Sequence, residues 1–418
     1  MPDSLPRVAI TGIGVVSPFG VGRELFWDAV CAGRSATRTI DHFDPSALSC
    51  RVAAAVPDAA VAAALVVRPL DARDDERRYA KVSRIAVLAA REAIDDAGLA
   101  GGTFDAGVVI GSGAGGIDVA ERHYGDFFGG HHHRVSPYAI PVSTVGMVSS
   151  EISIALGLRG ISHVISTGCT SPTDAIGYAA SLIRSGDADV LVTGGADACV
   201  TPGMMVGFSR MRVMSGASND RPAEASRPFD GARDGFVLGE GAWMLTLERL
   251  DRARERGARV YATIDGYGST CDAYHRVQMD PEGTEIVRAM RLALTRAGVP
   301  SEAIGYVSYH GTSTRLNDAV EMQCVGRVFG ARAADVPGSS IKSMIGHPQG
   351  ASGAAGVVST ALALARGVLP PTINQTTPDP ECPLDVIPNV ARRVQVEAAL
   401  CNCLGFGSKN SALVLRRA

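Results

Sequence analysis

Three side chains in this sequence have the types and settings for covalent acyl chemistry: Cys169, His310 and His347. Cys169 follows the β-branched run HVIST and precedes SPTDAIGYAASLI, a stretch with helical spacing. It is therefore expected at a strand-to-helix junction, with Gly168 permitting a tight turn. There the helix dipole favours the thiolate, the form that attacks a carbonyl. A buried core cysteine is the commoner fate of a free thiol, so the neighbours must decide. His310 ends IGYVSYH and opens the polar turn HGTST, while His347 ends SSIKSMIGH and opens a Gly/Ala-rich segment. Both histidines are placed at strand exits. A thiol can carry an acyl group as a thioester, and two imidazoles can donate to the oxygen where enolate charge develops as a malonyl thioester loses carbon dioxide. The attacked carbonyl needs a second pocket of backbone N–H groups, which Gly405, Phe406 and Gly407 could supply.

The elements that must bring these residues together alternate along the chain. Short β-branched runs such as RVAITGIGVV and DAGVVIGSGAGG are interleaved with Ala-rich helical stretches, the pattern of an α/β fold. Over Lys81 to Leu99 the apolar residues recur at three- and four-residue steps, and Gly98 is the C-terminal stop. A long-period echo is more informative. The unit HVISTGCTSPTDAIGYAASLI returns as SSIKSMIGHPQGASGAAGVVSTALALA. DAGVVIGSGAGG and AIGYVSYHGTST precede the two copies, and DADVLVTGGADA and AALCNCLGFGSKNSALVLRR follow them. The reading is a compact duplication, with an N-terminal half over 1–255 bearing the cysteine and a C-terminal half over 256–418 bearing the histidines. A pseudo-twofold between halves would let Cys169 and His347 meet.

Composition narrows the class. With 46% hydrophobic and 20% charged residues and a formal net charge of -3, the chain reads as soluble and globular, with no basic field for nucleic acid. No apolar stretch reaches the roughly 20 residues that a membrane span requires, and no signal core follows the N-terminus. Cysteines such as Cys31, Cys50, Cys199 and Cys271 lack CxxC spacing, and one residue separates Cys401 from Cys403, so neither disulfides nor a zinc site is expected. The His131–His133 triplet reads as loop rather than as metal ligands. The expected location is the cytoplasm.

STGCTS, SRPFDGARDGFVLGEGA, HGTST, KSMIGH and GFG occur in this order over nearly the whole chain, which resembles the β-ketoacyl-ACP synthase family. The resemblance implies the thiolase fold, a duplicated five-layered α-β-α-β-α arrangement. It implies Cys169 as the acylated nucleophile and His310 and His347 as the pair used in decarboxylation. Lys342 matches the lysine of KSMIGH, and Glu321 an acidic residue near that lysine. Thr312 and Thr314 match threonines that hydrogen-bond the phosphopantetheine arm. Phe406 matches a gating phenylalanine whose N–H joins that of Cys169 in the oxyanion hole. After Gly407 the family commonly continues Gly-Thr-Asn, whereas this chain has Ser408, Lys409 and Asn410. Chalcone-type relatives pair cysteine with one histidine and one asparagine, and degradative thiolases use a second cysteine as base. The two histidines and the GFG loop set both aside.

Cys169-Thr170-Ser171 resembles the ketosynthase α subunit of bacterial type II polyketide synthases, while KSMIGHPQGASGAAG and PPTIN resemble β-ketoacyl-ACP synthase II of fatty-acid synthesis. Pro172 and Thr173 depart from the aromatic polyketide pattern. The resemblance implies no cofactor, since substrates arrive on the phosphopantetheine of a separate acyl carrier protein. Arg77, Arg78, Lys81, Arg210 and Arg212 are candidate basic contacts for that acidic carrier. The implied partner is a homologous chain-length subunit, or a second copy. A non-catalytic chain-length subunit lacks the cysteine that this chain has. Met204, Met205 and Phe208 are candidate walls of an acyl channel.

Overall fold

The computed structural model describes residues 6–70, 78–99 and 105–418. The first half is built from β1 (Val8–Ser17), α1 (Lys81–Asp96), β2 (Gly107–Gly111), β3 (Ser162–Ile165), α2 (Ser171–Ser185), β4 (Val190–Ala198) and β5 (Leu238–Arg249). The second is built from β6 (Ala262–Cys271), α3 (Thr284–Ala297), β7 (Ile304–Ser308), α4 (Arg315–Phe329), β8 (Gly338–Ser339), α5 (Ser352–Arg366), β9 (Ala398–Gly405) and β10 (Lys409–Arg416). The first sheet runs β3-β2-β4-β5-β1 and the second β8-β7-β9-β10-β6. Directions agree strand for strand: β3, β2 and β4 are parallel, as are β8, β7 and β9, and the remaining neighbours are antiparallel. The sheets join where Val8–Ile10 of β1 pairs with Ala262–Ile264 of β6.

α2 and α5 pack on each other and on strands of both sheets, forming the middle layer over the largest apolar core. α1 covers the outer face of the first sheet and α3 that of the second, which gives five layers in the order α-β-α-β-α. α1 follows the expected spacing, burying Val82, Ile85, Ala86, Ala89, Ala90 and Ala93. It ends at Gly98 in the left-handed region, with Leu99 N–H donating to Ile94 O at 3.2 Å. The duplication extends to a packing detail. A methyl group at Gly12 or Gly14 of β1 would run into the carbonyl oxygen of Ala93 or Ala89, and one at Gly266 or Gly268 of β6 into that of Ala293 or Ala289. Each half uses a Gly-x-Gly strand to let its outer helix approach the sheet.

The middle layer positions the chemistry. α2 and α5 meet near their N-termini, where Gly353 faces Thr173 too closely for any side chain. Asp197 at the end of β4 accepts from Ser112 Oγ at 2.9 Å and from the N–H groups of Gly113 at 2.9 Å, Ala114 at 3.1 Å and Gly350 at 2.6 Å. This buried carboxylate ties the turn before α5 to the first half. Among the described residues no helix is long and apolar enough to cross a membrane.

Candidate active site

Cys169 sits in the one-turn 3-10 segment Gly168–Thr170 between β3 and α2, with Gly168 at φ +71° as the tight turn requires. Its neighbours brace that turn. Ser171 Oγ accepts from Thr167 N–H at 2.8 Å and donates to Gly168 O at 2.5 Å, and Thr170 Oγ1 donates to Thr167 O at 2.9 Å. The hydroxyls of the Cys-Thr-Ser signature thus set the backbone that presents the thiol. His310 follows β7, as expected from a strand exit. His347 does not leave a strand directly: after β8 the chain makes the helical turn Lys342–Ile345, passes Gly346 at φ +65°, and is then held by His347 N–H donating to Val237 O at 2.7 Å. Its apolar run is buried as a helical turn rather than as sheet.

The three side chains converge. Cys169 Sγ lies 3.1 Å from His347 Nε2, and one ligand-type atom from each of Cys169, His310 and His347 falls within 4.8 Å of the others. The imidazoles stand edge to face with centroids 5.4 Å apart. All three residues are buried. Burial pushes the Cys169 thiol up to about 11, against the pull of the Lys342 charge and the Phe406 N–H. Burial, helped by Lys342, holds both histidines well below the usual histidine range. Burial thus works against the thiolate that the helix dipole favours, and against a charged imidazole on either histidine.

Lys342 and Glu321 grip His310 by its backbone from opposite sides. Lys342 Nζ donates to His310 O at 2.5 Å, while Glu321 accepts from His310 N–H at 2.7 Å and Gly311 N–H at 2.8 Å. Burial raises the Glu321 carboxyl to about 7 and lowers the Lys342 ammonium. Asn402 Nδ2 reaches Glu321 at 3.2 Å. Cys403 Sγ lies 3.0 Å from Cys169 O and 3.6 Å from His310 Nδ1. Neither Asn402 nor Cys403 was marked out from sequence, although CNC immediately precedes the GFG loop.

A cavity of about 150 Å³ opens over the trio, lined also by Thr312, Thr314, Val213, Phe236, Leu404 and Phe406. Thr312 Oγ1 and Thr314 Oγ1 are 2.9 Å apart. The N–H groups of Phe406 and Cys169 both bear on the sulfur, where an oxyanion would form. Ser408, at φ +62°, is no loose substitute in the loop: its Oγ accepts from the N–H of Tyr274 at 3.2 Å and His275 at 3.1 Å and donates to His275 O at 2.9 Å. The loop is stapled to the segment that carries Val277, Gln278 and Met279 into the cavity wall.

The remaining expected residues that the structure describes lie away from this cavity. Met204, Met205 and Phe208, on the helix Pro202–Arg210, lie outside the wall of this cavity; Phe208 meets Phe236 edge-on behind it, at 5.4 Å between centroids. The Lys81 ammonium is drawn inward, to Glu240 at 2.8 Å and Asp58 at 3.0 Å, because a buried carboxylate needs a cation more than the surface does. Arg78 is half-buried and lies over the Tyr138 ring, Arg210 and Arg212 are exposed, and Arg77 falls outside the described residues.

Residues 6–253 match the family model described as beta-ketoacyl synthase, N-terminal domain, and residues 261–376 the corresponding C-terminal domain. The chain belongs to the β-ketoacyl synthase family. This β-ketoacyl synthase is 41% identical to the tetracenomycin polyketide synthase ketoacyl synthase alpha subunit of Streptomyces glaucescens, over 98% of this chain and 97% of that protein. It is 40% identical to 3-oxoacyl-acyl-carrier-protein synthase 2 of Coxiella burnetii, over 98% of each. Among solved structures, the ishigamide ketosynthase/chain length factor matches with a TM-score of 0.89 at 34% identity, over 99% of this chain and 100% of that one. A type II polyketide synthase acyl-carrier protein in complex with its ketosynthase, bound to the hexaketide, matches at 0.90 and 30%, with the same coverage. Likeness of this extent carries the thiolase fold and the Claisen condensation of β-ketoacyl synthases to this enzyme.

Proposed function

We propose that this enzyme is the ketosynthase subunit of a type II polyketide synthase, condensing an acyl group held on Cys169 with malonyl units delivered by a separate acyl carrier protein. The observation that carries the chemistry is the Cys169–His347 contact of 3.1 Å beside a second neutral histidine. As Cys169 attacks the incoming acyl thioester, His347 Nε2 takes the thiol proton and passes it to the departing pantetheine thiol. The Phe406 and Cys169 N–H groups hold the oxyanion. With the acyl group on Cys169, His310 and His347, the latter now in the tautomer with its proton on Nε2, donate to the malonyl thioester oxygen as its carboxylate leaves as carbon dioxide. The resulting enolate attacks the acyl carbonyl, a carbon–carbon bond forms, and the sulfur of Cys169 leaves as thiolate and takes from solvent the one proton that the overall condensation consumes.

In this reading Lys342 and Glu321 are positioning residues that fix His310, and Lys342 also keeps the imidazoles neutral. Thr312 and Thr314 bind the phosphopantetheine arm, Phe406 gates the cavity, and no cofactor or metal takes part. Arg78, Arg210 and Arg212 are the carrier contacts, the enzyme works in the cytoplasm, and the halves divide at 255/256. A homologous chain-length subunit completes the acyl channel. The polyketide assignment is supported by the Cys-Thr-Ser turn and by the polyketide relatives. The fatty-acid reading rests on the Coxiella relative, nearly as similar. Reconstitution with malonyl-carrier separates them: the polyketide reading expects little long product from the chain alone and elongation to a defined length with the partner. Full-length product from the isolated homodimer would favour fatty-acid synthesis.

A further inference from the structure

Gln349 is the residue beside the nucleophile for which the reaction so far has no use. It follows His347 by two positions, is 8% exposed, and holds a left-handed backbone with φ +43° although it has a side chain. That conformation is held from both sides, because Gly350 N–H is bound by Asp197 at 2.6 Å and Ala351 N–H donates to Pro348 O at 2.8 Å. The carboxamide is thereby aimed at the sulfur, with Oε1 3.8 Å from Cys169 Sγ. Its Nε2 has no hydrogen-bond partner among the described residues. A buried amide in that state is expensive, and it persists at functional sites where something else completes it.

Acylation makes the shortage worse. Once Cys169 becomes a thioester, no S–H remains that could turn from His347 towards Gln349 Oε1, and Nε2 still has no partner among the described residues. Gln349 does not line the cavity over the trio, so the only substrate atoms that come near its amide are the first few of the acyl chain, next to the sulfur. The carbonyl carbon is bonded to the sulfur, and the β-carbon lies two bonds further on, each about 1.5 Å. An oxygen on that carbon is within reach of a side chain whose nearer end is already 3.8 Å from the sulfur.

We propose that Gln349 is a specificity-determining residue whose carboxamide hydrogen-bonds an oxygen on the β-carbon of the acyl group carried by Cys169. The enzyme then prefers β-oxo and β-hydroxy acyl chains over plain hydrocarbon ones. A hydrocarbon chain covers the amide and leaves it unpaired, whereas an oxygenated chain completes it, and a site of this kind discriminates against the analogue that lacks the polar atom. This inference rests on the acylation of Cys169 and deepens the polyketide reading, since β-oxo chains are what repeated condensation without reduction produces.

The test is a competition between two probes, the pantetheine thioesters of octanoate and of 3-oxooctanoate, with acylation of Cys169 in the full chain followed by intact-protein mass. Gln349→Leu and Gln349→Met remove the amide with little change in volume. Both variants should take up the octanoyl group at least as fast as the wild type, which also reports that they fold. The preference for 3-oxooctanoyl should fall by about tenfold or more. An unchanged ratio in variants that acylate would overturn the inference and leave the parent function intact. Loss of both acylations in both variants would overturn it too, because a residue required for either chain alike selects neither. A wild-type enzyme that accepts neither thioester on Cys169 would instead sink the acyl-carrying role of Cys169, and the inference with it.

Discussion

His347 Nε2 stands 3.1 Å from Cys169 Sγ, although 178 positions separate the two residues and they belong to different halves of the duplicated fold. The contact exists because α2 and α5 meet at their N-terminal ends in the middle layer, so the turns that precede them face each other. The chemistry assigned to the pair predicts how the enzyme responds when members of the site are changed.

Removing either imidazole should separate the two half-reactions. His310→Ala and His347→Ala should each lower condensation by about 100- to 1000-fold, the scale of one lost oxyanion donor. Acylation of Cys169, measured by mass after one exposure to acyl-carrier, should fall much less in His310→Ala. Near-normal turnover in both variants would remove decarboxylation from their role.

The protonation states can be read by alkylation. A thiol held at about 11 stays protonated at neutral pH, so the rate of iodoacetamide labelling at Cys169 should rise by about tenfold per pH unit from pH 7 towards 10. Lys342 lowers this thiol and both histidines, so in Lys342→Met the same curve should move to higher pH and the acid limb of condensation should move up as the histidines protonate more readily. Labelling that is already flat at pH 7 would instead indicate a thiolate–imidazolium pair.

Ser408 should act as a staple. Ser408→Gly relieves a left-handed serine but gives up three hydrogen bonds to Tyr274 and His275, for a net loss of about 1 kcal/mol in denaturant unfolding. The Tyr274 and His275 amides should exchange with solvent faster. Exchange at wild-type rates would mean that the loop is held by other contacts.

How much of this was legible in the sequence depended on whether the signal was local. The duplication was readable because strand-turn-helix units recur in order, and the strand orders of the two sheets carry the same echo. Cys169 and His310 were placed well, since β-branched runs end just before them. The segment before His347 misled: SSIKSMIGH is apolar enough for a strand, but its burial is met by a helical turn held against β5. Lys81 looked like surface charge because its partner Glu240 is 159 positions away, and pairing at that range leaves no local trace. Gln349 and Cys403 matter through position alone, one by a strained turn and one by strand register, and residue type marks neither.

The central claim is that Cys169 is the acyl carrier, and the most direct measurement is peptide mass mapping after the enzyme has been incubated with acyl-loaded carrier protein. One acyl group should appear on the peptide containing Cys169, and Cys169→Ala should acquire none under the same conditions. An adduct forming on Cys169→Ala at the wild-type rate, on Cys403 or elsewhere, would contradict the account.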